Sequence, residues 1–550
     1  VTTLPEHAVL ADFTMDLDEL GPDLHTEARS VAGRTRHAQD AFEVAVILGT
    51  LGYSDQRARE LGCRDVFDLA EKVMSLLPLF GGPADERPVG IVERSAEDTP
   101  GPERMSPGLL LRSVLYSAPW IVAVVALVVA RVSFWSTITA QQFSTAISLA
   151  LFVGLVVTGG FMQAFARRGV FYALQHNGPL LRWTLRWTLG VGLAVLLAIV
   201  GAGYVVLEFV LDAYTPAANR SFLLFGISIG VMLLAFSPLY LARAFWSVLA
   251  AAGTGGLVAV LGGWSITEGN YLNLYTAQWV QLGALWTAVL VAVVFDVRIM
   301  RRLGAAPAGT TQPDARDVRS PRLPAVVRAV YVYWLYGTGF FVLIVVDQMV
   351  AGGLWQGVFN YNGYYELAVG TGLLILIPTL TYATAASYLL PATVQREVRR
   401  HLVSDSVGIN RVLMRFYVRH VLLTLLVGLV SGAVLLAATD WLSTASLVTS
   451  GLNRVVGIYV CALVGYLLLG VGALNSGLLF SLGQPRVPAL AVWTGVGVSL
   501  VVGLTLSWVW VPLPGAIIGL ISGSAFFAVA TTVAARRMFR RFDLSYYGAF

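Results

Sequence analysis

In 550 residues the chain has one lysine (Lys72), two cysteines and six histidines, and only 13% of its side chains are Asp, Glu, Lys or Arg. Soluble domains carry roughly 25% charged residues. A chain this long, folded in water, would lack the polar side chains to cover its surface. Cys63 and Cys461 lie in regions of different character, one charged and one apolar, which argues against a disulfide. No His or Cys pair has metal-ligand spacing. There is no GxxxxGK[ST] for a nucleotide-hydrolysing loop, and LNSGLLFSLGQPR (474–486) lacks the GxSxG of a serine nucleophile. The opening VTTLPEHAVLADF has neither the basic start nor the apolar run of a signal peptide. No stretch has the strand–helix alternation of a nucleotide-sugar enzyme. A non-enzyme without cofactor or metal, and without a nucleic-acid partner, is expected.

What is present is apolar: 57% of the residues, with 55 glycines, 14 tryptophans and 26 phenylalanines. A membrane span needs about 20 mainly apolar residues. Such segments occupy 112–131, 143–165, 187–209, 221–241, 244–263 and 277–296, then 328–350, 365–389, 416–438, 454–480, 487–510 and 514–535. The short turns are Ala242–Arg243 and Val511–Pro514. With both termini on the cytoplasmic side, 24 of the 27 arginines after residue 105 fall on that side, and only Arg131, Arg220 and Arg454 fall outside. The expected fold is an all-α polytopic membrane protein of twelve transmembrane helices in two six-helix bundles. Glycines in VTGG (157–160), AAAGTGG (250–256) and GVGVSLVVG (495–503) read as close helix packing.

Residues 1–105 hold 20 Asp/Glu against 10 Lys/Arg, whereas the remainder holds 12 against 27. The first 36 residues read as irregular. Three helices are expected from His37 to Leu77, with a break at Gly52–Ser54 and Asp65 as cap of the third. The expected division is 1–105, an acidic cytoplasmic helical extension and linker; 106–300, a first six-span bundle; 301–325, a proline-rich cytoplasmic linker; 326–540, a second bundle; and 541–550, a cytoplasmic tail. The extension reads either as a dock for a cytoplasmic glycosyltransferase or regulator, or as a cap on the basic face of its own chain.

Charges inside or beside the spans are the candidate cavity, coupling or substrate contacts. Asp347, in span seven, needs a wet cavity, a partner or a proton. Arg131 is its possible counter-charge or a contact for an anionic sugar; the alternative is snorkelling toward headgroups. Glu208 and Asp212, four residues apart, would share a helical face and form a cation or proton relay, or face solvent. Arg243 is a candidate phosphate contact, and Asp296 with Arg298 an interface clamp. The loops 265–279 and 354–366, the second ending in Glu366, are dense in Tyr, Trp, Asn and Gln. That composition suits sugar rings as well as an interfacial aromatic belt.

The runs LLRSVLYSAPWIVAVVALVV (110–129), FSTAISLALFVGLVVTGGFMQAFARR (143–168), YWLYGTGFFVLIVVDQMVAG (333–352) and RRMFRRFDL (536–544) resemble the PelG family of exopolysaccharide transport membrane proteins. That family lies in the MOP flippase superfamily, with Wzx-type flippases, MurJ and MATE exporters. The resemblance covers most of 107–550, and the acidic extension is additional to it. It implies a MOP/MATE-like fold, an Asp of the family pattern at Asp347, and a place in the bacterial cytoplasmic membrane. It also implies export of an exopolysaccharide or lipid-linked oligosaccharide, with membrane lipids and cytoplasmic glycosyltransferase or synthase subunits as partners. Two alternatives stay open: an H⁺- or Na⁺-coupled MATE-like exporter of small molecules, and a non-transporting scaffold of a synthase complex.

Overall fold

Long apolar segments without strand-forming alternation satisfy their backbone polar groups internally, and in lipid the helix does this within one segment. A computed structural model of the chain describes residues 31, 44–45, 47–48, 53, 55–76, 107–130, 132, 141–174, 178–212, 214–269, 274–303, 323–353, 359–400, 406–444, 452–509 and 512–542. The chain forms two compact units, Val1–Glu103 and Arg104–Phe550.

In the first unit, α1 (Asp55–Glu60) and α2 (Val66–Leu76) close on a small core of Val44, Leu48, Ala58, Leu69, Val73 and Leu76. Asp65 caps α2: its Oδ1 accepts from the backbone N–H of Phe67 (3.0 Å) and Asp68 (2.9 Å). Asp68 answers by accepting from Arg64 N–H at 2.7 Å. These bonds favour the charged carboxylates, so both groups titrate below the usual aspartate range. Residues 1–30, the linker 77–106, the inter-half segment 304–322 and the tail 543–550 lie outside the described residues.

The second unit is a polytopic all-α membrane protein. Eleven of its described helical segments are each long and apolar enough to cross a bilayer. Two shorter helices precede them, α3 (Pro107–Tyr116) and the apolar α4 (Ala118–Ala130). The first half continues with α5 (Gln141–Leu174), α6 (Gly178–Val205), α7 (Pro216–Leu241), α8 (Phe245–Glu268) and α9 (Leu274–Leu303). The second half comprises α10 (Leu323–Ala351), α11 (Gly363–Leu373) running into α12 (Leu376–Arg400), α13 (Ser406–Thr444), α14 (Leu452–Ser481), α15 (Arg486–Val509) and α16 (Pro512–Arg540).

Packing repeats between the halves. In the first, α5 packs on α6 and α7, α7 on α9, α8 on α9, and α4 on α8. The equivalent spans of the second repeat this: α12 packs on α13 and α14, α14 on α16, α15 on α16, and α10 on α15. The tightest seam joins α15 to α16, where Gly495, Ser499, Gly503 and Ser507 face Gly515, Gly519 and Gly523. A Cβ on Gly519 would lie 2.7 Å from the Ser499 carbonyl oxygen and 2.8 Å from Gly503 Cα. Small residues at four-residue spacing let two backbones touch where lipid supplies no hydrophobic drive. Pro512 and Pro514 open α16 instead of forming a turn before it, because proline at the first helical position loses no hydrogen bond.

Two passages are broken near mid-span. α3 stops at Tyr116 and α4 starts at Ala118; α11 stops at Leu373 and α12 starts at Leu376. A proline follows each break, Pro119 and Pro378. Its ring displaces the carbonyl four residues back, here Leu115 and Leu374. The expected single spans over 112–131 and 365–389 are therefore two helices each.

Candidate functional site

The two halves meet chiefly through α5 against α10 and α3 against α12, two pairings that exchange under the internal repeat. At the α5–α10 crossing Gly159 and Gly160 lie against Trp334, Gly337 and Thr338. A methyl on Gly337 would lie 2.9 Å from the Gly159 carbonyl carbon and 2.8 Å from Gln163 Cγ. In the α3–α12 contact the hydroxyl of Ser117, in the first break, stands 3.2 Å from that of Thr381, in the second turn of α12.

Both ends of this interface are tied. At the arginine-bearing end the Arg167 guanidinium lies 5.3 Å from the Tyr333 ring centre, and Phe161 meets Trp334 edge-on at 6.3 Å. Arg243 reaches from the first half to the Tyr388 ring of α12, 4.7 Å from its centre. Its backbone φ of 52° holds it in the left-handed region, at a cost of roughly 1–2 kcal/mol. Arg243 is thus a strap between halves, stacked on an aromatic face. At the opposite end, residues 359–361 of the second half lie on the first. Tyr361 N–H donates to Thr145 Oγ1 (3.0 Å), and Gln141 Nε2 donates to the Tyr361 carbonyl (3.1 Å). The Tyr214 hydroxyl donates to the Phe359 carbonyl. Burial pushes the Tyr214 phenol up to about 12, so it keeps the proton it donates. The Tyr361 phenol also rises to about 12, through burial and the nearby Glu366 carboxylate.

Asp347 faces inward within the second bundle and is 1% exposed. Its Oδ2 accepts from the Tyr365 hydroxyl of α11 at 2.8 Å, while Oδ1 is buried with no hydrogen-bond partner. Glu366 and Tyr466 both lie close enough to interact electrostatically with its carboxyl. The Tyr466 hydroxyl is buried beside Gln348 and makes no hydrogen bond of ordinary geometry. The structure thus joins two of the sequence candidates, Asp347 and Glu366, and adds Tyr365, Tyr466 and Gln348. The sequence signal for Tyr365 was its place beside Glu366 in YYE; Tyr466 carried none.

The other candidates stand apart from this cluster. Arg131 lies outside the described residues. Glu208 sits in a π-turn, Val206–Val210, and accepts from Asn219 Nδ2 at 2.7 Å. Asp212 lies beyond the helix at φ 45°, so the two carboxylates share no helical face. The wide turn, closed by Leu211 N–H on the Val206 carbonyl, ends the α-helical register on which the four-residue spacing depended. Asp296 forms no ion pair with Arg298 among the described residues, and its Oδ1 is buried without a partner. Gln278 and Gln281, in the polar stretch at the start of α9, are buried; both Gln281 amide atoms lack partners. Among the described residues no group of three or more His, Cys, Asp or Glu could hold a metal ion.

No protein-family model and no curated protein sequence matches the chain. Solved structures do match by fold. An inward-facing multidrug-resistance MATE family transporter of the MOP superfamily aligns with TM-score 0.52 at 13% identity, covering 78% of this chain and 98% of that one. An outward-facing one aligns at 0.50 and 16% identity, covering 78% and 95%. A MOP superfamily transporter from Pyrococcus furiosus Vc1, described as having a binding pocket of reversed polarity, aligns at 0.54 and 15% identity, covering 78% and 94%. The second unit therefore has the fold of MOP superfamily transporters.

Proposed function

We propose that the protein is a secondary transporter that exports an exopolysaccharide or lipid-linked oligosaccharide across a bacterial cytoplasmic membrane. The observation that carries this reading is the interface: two internally repeated bundles meet at a glycine crossing and at two proline-broken helices. Bundles joined this way can exchange two packings and expose the space between them to each side in turn, as transporters built from repeats do. The straps are short and separable: a hydroxyl pair in the α3–α12 contact, two cation–π contacts at the arginine-bearing end and a few hydrogen bonds to one loop at the other. With the arginine-bearing ends and both termini in the cytoplasm, opening there admits substrate and opening opposite releases it. The resemblance to PelG proteins and the amide- and tyrosine-rich loops support a sugar substrate. Cytoplasmic glycosyltransferase or synthase subunits would deliver it, and the acidic extension is a surface for them to dock.

A second reading, cation-coupled export of a small molecule, is favoured by the Asp347 cluster. A buried carboxylate with one tyrosine donor and a second acidic residue nearby suits a proton or a hard monovalent cation.

The test is transport into proteoliposomes carrying the purified full chain, with a fluorescent lipid-linked oligosaccharide in one set and an organic cation under a proton or sodium gradient in the other. Sugar translocation without cation accumulation supports the first reading. Cation accumulation abolished by Asp347→Asn supports the second. Failure of both, with polymer secretion intact in cells carrying interface variants, leaves a scaffold and refutes transport.

A further inference from the structure

The internal repeat places two arginine-lined grooves at equivalent positions on the arginine-bearing end. In the first half the groove lies between α6 and α9, is about 320 Å³, and sets Arg182, Arg186 and Arg301 around Asp296. In the second half it lies between α13 and α16, is about 340 Å³, and sets Arg411, Arg536 and Arg540 together. The difference is a carboxylate. Neither α13 before Asp440 nor α16 carries an acidic residue, and among the described residues none of these three arginines is ion-paired. Three exposed guanidinium groups sharing one groove repel one another, and an anion between them relieves that repulsion.

The groove also has an apolar continuation. Through Met414 and Val418 it joins a second groove along α13 that includes Arg415, Arg419 and Leu422. Beyond it, Leu422, Leu426, Leu429 and Val430 are 54–62% exposed along the membrane-facing side of α13. Val418 to Leu429 is a rise of about 16 Å, the depth of one leaflet. A site that is polyarginine at one end and an exposed hydrocarbon track at the other fits one kind of molecule. We propose that the α13–α16 groove binds an anionic phospholipid of the cytoplasmic leaflet, its phosphodiester held by Arg411, Arg536 and Arg540 and its acyl chain lying along α13.

Guanidinium groups bind phosphate oxygens in paired, planar geometry, and basic pockets between spans at this depth recognise anionic headgroups. The α6–α9 groove differs in carrying the Asp296 carboxyl in its lining, which takes space among the arginines and, where ionised, repels a phosphodiester. The proposal is independent of what the protein transports.

The experiment is native mass spectrometry of the detergent-purified full chain titrated with phosphatidylglycerol, cardiolipin and phosphatidylcholine. The wild-type chain is expected to retain the two anionic lipids and not phosphatidylcholine. The triple variant Arg411→Gln, Arg536→Gln, Arg540→Gln is expected to lose at least tenfold in affinity, each arginine near an anionic headgroup being worth roughly fivefold. An equal charge change in the other groove, Arg182→Gln, Arg186→Gln, Arg301→Gln, is expected to change affinity less than threefold. Equal loss in both variants, or none in the first, overturns the proposal, as does displacement of the lipid by millimolar inorganic phosphate, which would make the site one for free anion. Should the triple variant not fold, Val418→Glu places a carboxylate in the same groove at an exposed position. It is expected to weaken retention about tenfold, and unchanged retention overturns the proposal.

Discussion

Gly337→Ala tests whether the α5–α10 crossing is a surface along which the bundles move. The added methyl would press first on the Gly159 carbonyl oxygen and would stand 2.9 Å from that carbonyl's carbon and 2.8 Å from Gln163 Cγ. Gln163 can swing aside; the Gly159 backbone cannot. Ordinary carbon contacts begin near 3.5 Å, so the helices must part locally by roughly 0.5–1 Å. Overpacking of this kind costs about 1–3 kcal/mol. Alanine also improves helix propensity by about 1 kcal/mol, but that gain applies in every packing in which α10 stays helical and cancels from their ratio. The tied packing should therefore lose roughly 5- to 150-fold in population relative to packings that separate the crossing. Pulsed electron-spin distance measurements between labels at Trp246 in the first half and Ala392 in the second read this ratio directly. The expected result is a shift of weight toward longer distances, with net thermal stability lowered by no more than about 2 kcal/mol. Gly283→Ala, where a Cβ meets nothing within 4 Å, should leave the distribution unchanged. An unchanged distribution in Gly337→Ala would refute the reasoning.

Tyr365→Phe removes the donor to Asp347 Oδ2 and should slow any step that uses the charged carboxylate by roughly 5- to 150-fold, the equivalent of 1–3 kcal/mol; cation-driven uptake in proteoliposomes measures it, and wild-type rates would exclude Asp347 from coupling. Gly519→Ala should destabilise the α15–α16 seam by about 1–3 kcal/mol, seen as a lower melting temperature, whereas Gly497→Ala, with open space at its Cβ, should not. Because Asp65 and Asp68 titrate below their unfolded value, their stabilisation of α2 is complete above a pH of about 3.9 and is lost as the pH falls through their lowered range. Protection of α2 amides in the full chain, measured relative to intrinsic exchange at each pH, should fall there on acidification; Asp65→Asn, which still caps, should keep only the part of that fall that Asp68 supplies, and Asp65→Ala should be less protected at every pH.

Much of this architecture was legible because the bilayer imposes a coarse rule. Apolar runs near 20 residues and arginines on alternate turns locate the passages, and even the tight turn at Ala242–Arg243 falls between α7 and α8. The α15–α16 seam was legible too, since GVGVSLVVG already carries the small-residue spacing. The breaks were present in the sequence as Pro119 and Pro378, but hydropathy averages over a missing hydrogen bond. Asp347 and Glu366 were visible as costly charges; their association was not, because it depends on how α11 sits against α10 and α14. Tyr365 and Tyr466 are amphipathic, and composition alone assigns them to the membrane interface. For Glu208 and Asp212 a shared face assumed an α-helical register, which the π-turn at Val206–Val210 breaks, and Asp212 is exposed, as the other reading of the pair had it.

The most direct test of alternating bundles is to lock them. Ser117 and Thr381 place their hydroxyls 3.2 Å apart across the interface, so Ser117→Cys with Thr381→Cys, in a chain whose Cys63 and Cys461 are replaced by serine, should form a disulfide on oxidation. Translocation of lipid-linked oligosaccharide in proteoliposomes should stop when the bridge forms and return when it is reduced. Undiminished translocation by fully cross-linked protein would contradict the account.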